Sequence, residues 1–482
     1  MRWRRPTITV WLALVVLFVT TGVAGAHQVA DSRFAAPIPL GLLFGGAGVT
    51  VAATAAWLGV TAETASTART WRSRVRILGR LAAGVRLSVR TLFFLGFLVA
   101  VGHGLLGPQI EAENFATVFA WAVWIKGVGL LSILLGSPWR VLSPWRALYD
   151  GLVRLEGREI AAVGAYPSWL GHWPALVGFV VGIGIIENLT VLPRSPAATA
   201  VIVAGYAAVM VLGGVAFGEA WFRHADALSV LYRLFGRVAP IRFVEAASGE
   251  ESVSRSGSDP GSEPQSAYTL ALRSPWAGCT QRVADLVLVA FVVAAVYTVS
   301  FDGFASTSTY QTVLFEFRDA LGTGTTTSVL VYALGLYVFV ATFVAVSGGM
   351  AFVADEGWAW RDTAIAFAPT VLPIAAAYEV AHNHPFVIEN AWRLAAIGWS
   401  IAVAPVEPAE PLAWLSLGAF WGSQVLLIVA GHVIAVVAAH HVALDRYGTL
   451  GRARRAHLPL VILMVGYTVL SLWIISRPVV AG

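Results

Sequence analysis

Apolar runs of eighteen or more residues recur along this chain, and no other feature restricts its fold so tightly. Stretches such as LVLVAFVVAAVYTVSF and VLVYALGLYVFVATFVAV are too uniformly apolar for solvated loops, and they approach or reach the length a helix needs to cross a bilayer. A membrane β-barrel is excluded too, because its strands would alternate apolar and polar over about ten residues. Composition agrees. Of 482 residues 57% are hydrophobic and 12% charged, against about 25% charged in soluble domains. The expected fold is therefore all-α: a polytopic transmembrane helix bundle.

Arg2, Arg4 and Arg5 precede an apolar stretch over 8–23 and then Ala24-Gly25-Ala26. This is the layout of a signal peptide over 1–26 with an A-x-A cleavage site, the alternative being an uncleaved signal anchor. Cleavage would make His27 the N-terminus, where an α-amine and an imidazole together suit copper. Ten spans follow, at 37–60, 91–107, 115–136, 174–192, 197–220, 283–303, 327–353, 363–382, 415–441 and 458–476. With His27 outside, the inner segments hold 23 arginines and the outer ones five, which is the positive-inside bias of a multi-pass protein of the cell membrane with both mature termini extracytoplasmic. Topology thus accounts for the basic charge, and no nucleic-acid partner follows from it. The expected partners are the lipid bilayer and a small lipophilic or ionic substrate.

Arg69, Arg72, Arg76 and Arg80 recur at spacings of three and four. They read either as a surface helix against anionic lipid or as an ordinary cytoplasmic loop. Residues 245–267, rich in Ser, Gly and acid, read as a disordered cytoplasmic linker between a first membrane half over 27–244 and a second over 268–482. Each half holds five spans. Five is odd, so the halves run in opposite senses, as in inverted-repeat transporters, although no internal sequence similarity accompanies the division.

An ionised side chain at the centre of a span costs about 2.5–3.5 kcal/mol on insertion scales, so each needs a partner or a purpose. Lys126, Glu187, Glu379, His382, His103 and His432 are such residues, and Asp302 closes the sixth span. His103, Glu187, Asp302, Glu379 and His382 all come late in outward-running spans, which predicts a shared cavity in the outer half of the bundle. Glu379 and His382, three apart, share a helical face, a spacing also used by carboxylate-bridged metal helices. Pro369 and Pro373 are expected to kink that helix. Taken singly, each histidine is also explained as a neutral imidazole bonded between helices. Cys279 is the sole cysteine, so disulfides and Cys-ligated metal centres are excluded. A divalent metal would have to be bound by His and carboxylate, with His103, His382 and His432 as candidate ligands.

Several strings occur in an order that resembles the fenitrothion hydrolase-like polytopic membrane proteins. They are PIPL at Pro37 to Leu40, SPWRALYDG, YPSWLGHWPAL, FGEAWFRHADALSVLYRLFGRVAP, TVSFDG, LPIAAAYEVAH and VAGHVIAVVAAH. The segment between Glu389 and Pro411 departs from that pattern, so a shared outer lid does not carry over. The resemblance implies hydrolysis of a lipophilic phosphoester within the membrane, and it brings no established catalytic residues with it. In that reading a His-bound metal would polarise the phosphoryl oxygen and acidify a water, and Glu187 or Glu379 would accept its proton, with His382 beside them. Two other readings stay open: a proton-coupled secondary transporter using the same residues, and a copper- or haem-binding membrane protein.

Overall fold

The structure, a computed structural model, describes residues 39–61, 70–245, 267–324, 326–357 and 359–477. The leader over 1–26, His27, Arg69 and residues 246–266 of the expected linker lie outside these. Among the described residues, ten helices are long and apolar enough to cross a membrane. They are α1 (Leu40–Thr61), α2 (Gly79–Leu106), α3 (Phe115–Leu135), α5 (Ser168–Glu187), α6 (Pro196–Phe217), α9 (Leu286–Ala305), α11 (Thr327–Val353), α12 (Trp360–Ala402), α13 (Leu417–Tyr447) and α14 (Leu450–Ile475). The shorter helices include α4 (Pro144–Glu156), α7 (Glu219–His224), α8 (Ala227–Phe235) and α10 (Ser308–Leu321). The chain is a multi-pass helical membrane protein. α9 and α12 are enclosed by other helices, whereas α2 and α11 turn most of their surface outward, where apolar side chains meet lipid at no cost.

Caps mark where helices begin. Ser195, Asp285 and Ser416 accept from the N–H three residues on, opening α6, α9 and α13, as short side-chain acceptors do at exposed N-termini. Inside the bundle, α3 and α5 are not uniformly α-helical. Val118–Gly127 and Val180–Glu187 are π-helical, a wide geometry that is uncommon and concentrates at functional sites.

Three features differ from expectation. The eighth span, expected over 363–382, runs on to Ala402. Pro369 sits in a 3₁₀ turn over Ala368–Val371, and Pro373 falls in the first turn of the helix that restarts at Leu372, where a proline's missing N–H has no partner to lose. Of the arginines before the second span, Arg72 and Arg76 lie on a strand and Arg80 in the first turn of α2, while Arg69 lies outside the described residues. β1 (Thr70–Leu78) pairs antiparallel with β3 (Ala267–Arg273), which also pairs with β2 (Ile241–Glu245), giving the order β1-β3-β2. Trp71, Ser73, Val75 and Ile77 alternate with arginines, which is the period of a strand. We call the end of the bundle that carries this sheet the basic end.

The third difference is the segment after α6, expected to be cytoplasmic loop. It folds into α7 and α8, and α8 is buried at Ala227, Leu228, Val230, Leu231, Tyr232, Leu234 and Phe235. It packs along α3 with Tyr232 and Phe235 against Gly129. Asp226, only 1% exposed, anchors it. Its Oδ2 accepts from the indole N–H groups of Trp139 and Trp145, both at 3.0 Å, and its Oδ1 accepts from the Tyr206 hydroxyl and the Leu228 N–H. Four donors satisfy a carboxylate that would otherwise be costly to bury.

Candidate functional site

Lys126 lies near the end of the π-helical stretch of α3, and Glu187 ends that of α5. Lys126 Nζ is 3.1 Å from Glu187 Oε1, 3.5 Å from Asp302 Oδ2 on α9 and 3.8 Å from Glu379 Oε1 on α12. One ammonium is therefore shared by three carboxylates. Lys126 and Glu187 come from the first five spans, Asp302 and Glu379 from the second five, so the cluster joins the two halves of the chain. His382, one turn beyond Glu379, places Nε2 3.9 Å from Asp302 Oδ2.

Exposure is graded across the cluster. The side chains of Lys126, Glu187 and Glu379 are 10%, 10% and 7% exposed, whereas those of Asp302 and His382 are 28% and 31% exposed. Polar groups of this kind are disfavoured against lipid, and the Asp302–His382 edge is the more exposed side of the cluster. Toward the basic end the cluster is floored by Phe179, Ile183, Leu231 and Phe235, all buried. A small cavity between floor and cluster, bordered also by Asn188 and Thr298, has about 20 Å³ open to the centre of a water molecule. That is room for one water. Lys126, Asp302 and Glu379 line the cavity, and within the cluster Glu187 Oε2 is buried and has no hydrogen-bond partner among the described residues.

The backbone around Lys126 is held from below. The Tyr232 hydroxyl donates toward the carbonyls of Trp124 and Ile125, at 3.2 and 3.1 Å, where α3 passes from π to α geometry. The α8 segment thus fixes the height at which Lys126 leaves its helix.

The residues expected to be functional do not all meet here. Glu187, Glu379, His382 and Asp302 are brought together. His103 is elsewhere: its Nδ1 accepts from the Phe115 N–H at the start of α3, and its carbonyl accepts from Asn114. His432 is 1% exposed, contacts the Ile428 carbonyl through Nδ1 at 2.8 Å and packs against the Tyr467 ring. Among the described residues no group of three or more His, Cys, Asp or Glu side chains is arranged to hold a metal ion. The set His103, His382 and His432 therefore does not fit a shared metal, and the carboxylates converge on an ammonium instead. Lys126 proved the centre of the cluster; the sequence showed only that a lysine in mid-span needed a carboxylate.

The fold and this cluster define a polytopic α-helical membrane protein with an ionic site between its two halves. Comparison with protein-family models, with curated proteins and with solved structures finds no match.

Proposed function

We propose that this protein is a proton-coupled secondary transporter, and that the Lys126–Glu187–Asp302–Glu379 cluster is its coupling site. The observation that carries the reading is the shared ammonium. Three carboxylates and one lysine leave the site short of two positive charges when all are ionised, and Glu187 Oε2 is buried with no hydrogen-bond partner among the described residues. A proton or a small cation entering past Asp302 and His382 would balance that charge and compete with Lys126 for the same oxygens. Because the four groups come from both halves, such competition would loosen the contact between halves, as alternating access requires. Bilayer placement of the cluster, at late positions of outward-running spans, fits a path leading from the outer side, with the basic end cytoplasmic.

The resemblance to fenitrothion hydrolase-like proteins supports a second reading, phosphoester hydrolysis, in which Glu379 or Glu187 would take a proton from water. The ammonium shared by carboxylates from both halves of the chain weighs toward transport. Reconstitution into liposomes decides between them. Proton flux, reported by an internal pH dye under an imposed potential and lost in Glu187→Gln and Glu379→Gln, is the expected result. Turnover of an aryl phosphotriester by the purified protein, abolished by Glu379→Gln, with no proton flux, would replace transport with hydrolysis.

A further inference from the structure

Two of the helices that supply the cluster meet a second time, at the basic end. α5 ends at Glu187 and α9 ends near Asp302, both on Lys126. At their opposite ends stand His172, just before the regular part of α5 opens at Trp173, and Asp285, the N-cap of α9. His172 Nδ1 lies 2.6 Å from Asp285 Oδ2. The His172 side chain is 8% exposed and that of Asp285 35%. Asp285 Oδ1 meanwhile accepts from the Leu288 N–H, so each oxygen of the carboxylate has its own donor. The imidazole is held from behind: the His224 ring on α7 lies 4.8 Å from it and is stacked in turn on Tyr166, whose hydroxyl donates to the Gly171 carbonyl. His172 and His224 belong to the first half of the chain and Asp285 to the second.

The two helices are therefore tied at both ends across the same division, with Phe179, Ile183, Leu231 and Phe235 between the ties. Each tie includes a partly exposed carboxylate, Asp302 in one and Asp285 in the other, and in the second the buried His172 is backed by the rings of His224 and Tyr166. Helix capping alone explains the bond to Leu288. It does not require the second oxygen to reach a buried histidine on the other half.

We propose that the His172–Asp285 hydrogen bond is the clasp that keeps the pathway closed at the basic end while the Lys126 cluster is open at the other. The inference rests on the transport reading, and it makes His172 and Asp285 positioning residues that act through the apolar floor without touching the transported ion. A charge-assisted hydrogen bond of this kind suffices to bias a two-state element by tenfold or more. Breaking it should let α5 and α9 part at the basic end and expose the floor to water from that side.

Accessibility of the floor tests this without a known substrate. In a Cys279→Ala background, Leu231→Cys supplies one thiol on the floor, and Ile183→Cys supplies another should the first variant fold poorly. A membrane-impermeant methanethiosulfonate reagent is applied to sealed vesicles of each orientation. Asp285→Asn and His172→Phe should each raise the rate of labelling from the basic end about tenfold, with labelling from the opposite side unchanged or slower, and with thermal unfolding in detergent still cooperative. Equal rates with and without the clasp, in cooperatively folded protein, would overturn the proposal. A rise from both sides alike would overturn it too, because general loosening is not a gate. Absence of proton flux in liposomes would remove the transport reading while leaving the labelling result intact, so the two failures are separable.

Discussion

Lys126 and Glu187 face each other at 3.1 Å from the ends of two separate π-helical stretches. A π-helix advances less per residue than an α-helix, so side chains near its end emerge at a different height and azimuth from those an α-helical count would give. That offset brings an ammonium on α3 and a carboxylate on α5 to one point, where Asp302 and Glu379 also arrive. The site depends on irregular backbone that the surrounding bundle must hold in place.

Replacing Lys126 by Met should be the most damaging single change in the cluster. It leaves three carboxylates without their shared cation, and removal of one partner from a buried ionic group costs about 3–5 kcal/mol. Adding Glu379→Gln to that variant removes one of the stranded charges and should recover part of the loss. A double-mutant cycle on detergent unfolding should therefore give a coupling of more than about 1 kcal/mol. Strictly additive effects would show that Lys126 and Glu379 do not interact.

Asp226 is the corresponding point for the α7–α8 segment. Asp226→Ala takes the acceptor from two indoles and a tyrosine hydroxyl, and each donor left buried and unpaired costs about 1–3 kcal/mol. Asp226→Asn should rescue little, since its amide nitrogen would confront donors already placed around the carboxylate. Both variants should lose at least about 3 kcal/mol of stability by these estimates, together with the tryptophan fluorescence signature of a buried indole cluster. A wild-type unfolding midpoint in Asp226→Ala would show that α8 is held by apolar packing alone.

The ten spans were legible because apolar run length and arginine distribution follow directly from the bilayer as a solvent. So was the common depth of Glu187, Asp302, Glu379 and His382, since position along outward-running helices sets height. Lys126 was visible as a mid-span cation, yet not as the centre, because convergence depends on π-helical offsets that leave no mark in hydropathy. The α7–α8 segment was hidden for a related reason. Its arginines Arg223, Arg233 and Arg237 resemble those of any inner loop, while the residues that bury it, Asp226 and Tyr232, find partners on α3, α6 and the turn at Trp139, far away in sequence. The strand at Thr70 was misread because arginines at 72, 76 and 80 suit a helical spacing, whereas Arg72, Arg74 and Arg76 suit a strand equally well.

Stability should fall in acid partly through Glu219. Its carboxylate is held below the ordinary glutamate range first by the hydrogen bond from Arg146, which outweighs the opposing effect of burial, and then by the charges of Arg146, Arg140 and Arg223. A lowered pKa means stabilisation that is fully present above the unfolded value of about 4.3 and is lost as pH falls through the folded one. The side chain is 37% exposed, so the contribution is solvent-screened, about 1 kcal/mol or less. Unfolding midpoints of the wild type and Glu219→Gln should differ at pH 7 and converge toward pH 3. A difference that persists unchanged into acid would assign the effect to packing.

Residues 247–265 should be replaceable by a short Gly/Asn turn. Glu245 of β2 is paired with Tyr268 of β3, so the chain ends that the segment joins already lie side by side, and a hairpin connection of a few residues closes such a pair. Its composition is too poor in apolar residues to offset the entropy of ordering. The shortened protein should match the wild type in detergent unfolding to within about 1 kcal/mol, and in proton flux. Collapse of the folded yield would show that the segment packs against the bundle.

Orientation can be fixed independently of function. The sheet, the α7–α8 segment and Asp285 fall in or next to the alternate connecting segments that hold 23 arginines in the sequence, against five in the others, and arginine-rich segments remain on the cytoplasmic side during insertion. A protease-sensitive tag at Ser256 should therefore be cut only in inverted vesicles. After an even number of spans, a tag following Gly482 should be cut in intact spheroplasts, on the side toward which Asp302 and His382 lie in their outward-running spans. Cleavage of the Ser256 tag from outside would invert the protein, and the Lys126 cluster would then open toward the cytoplasm.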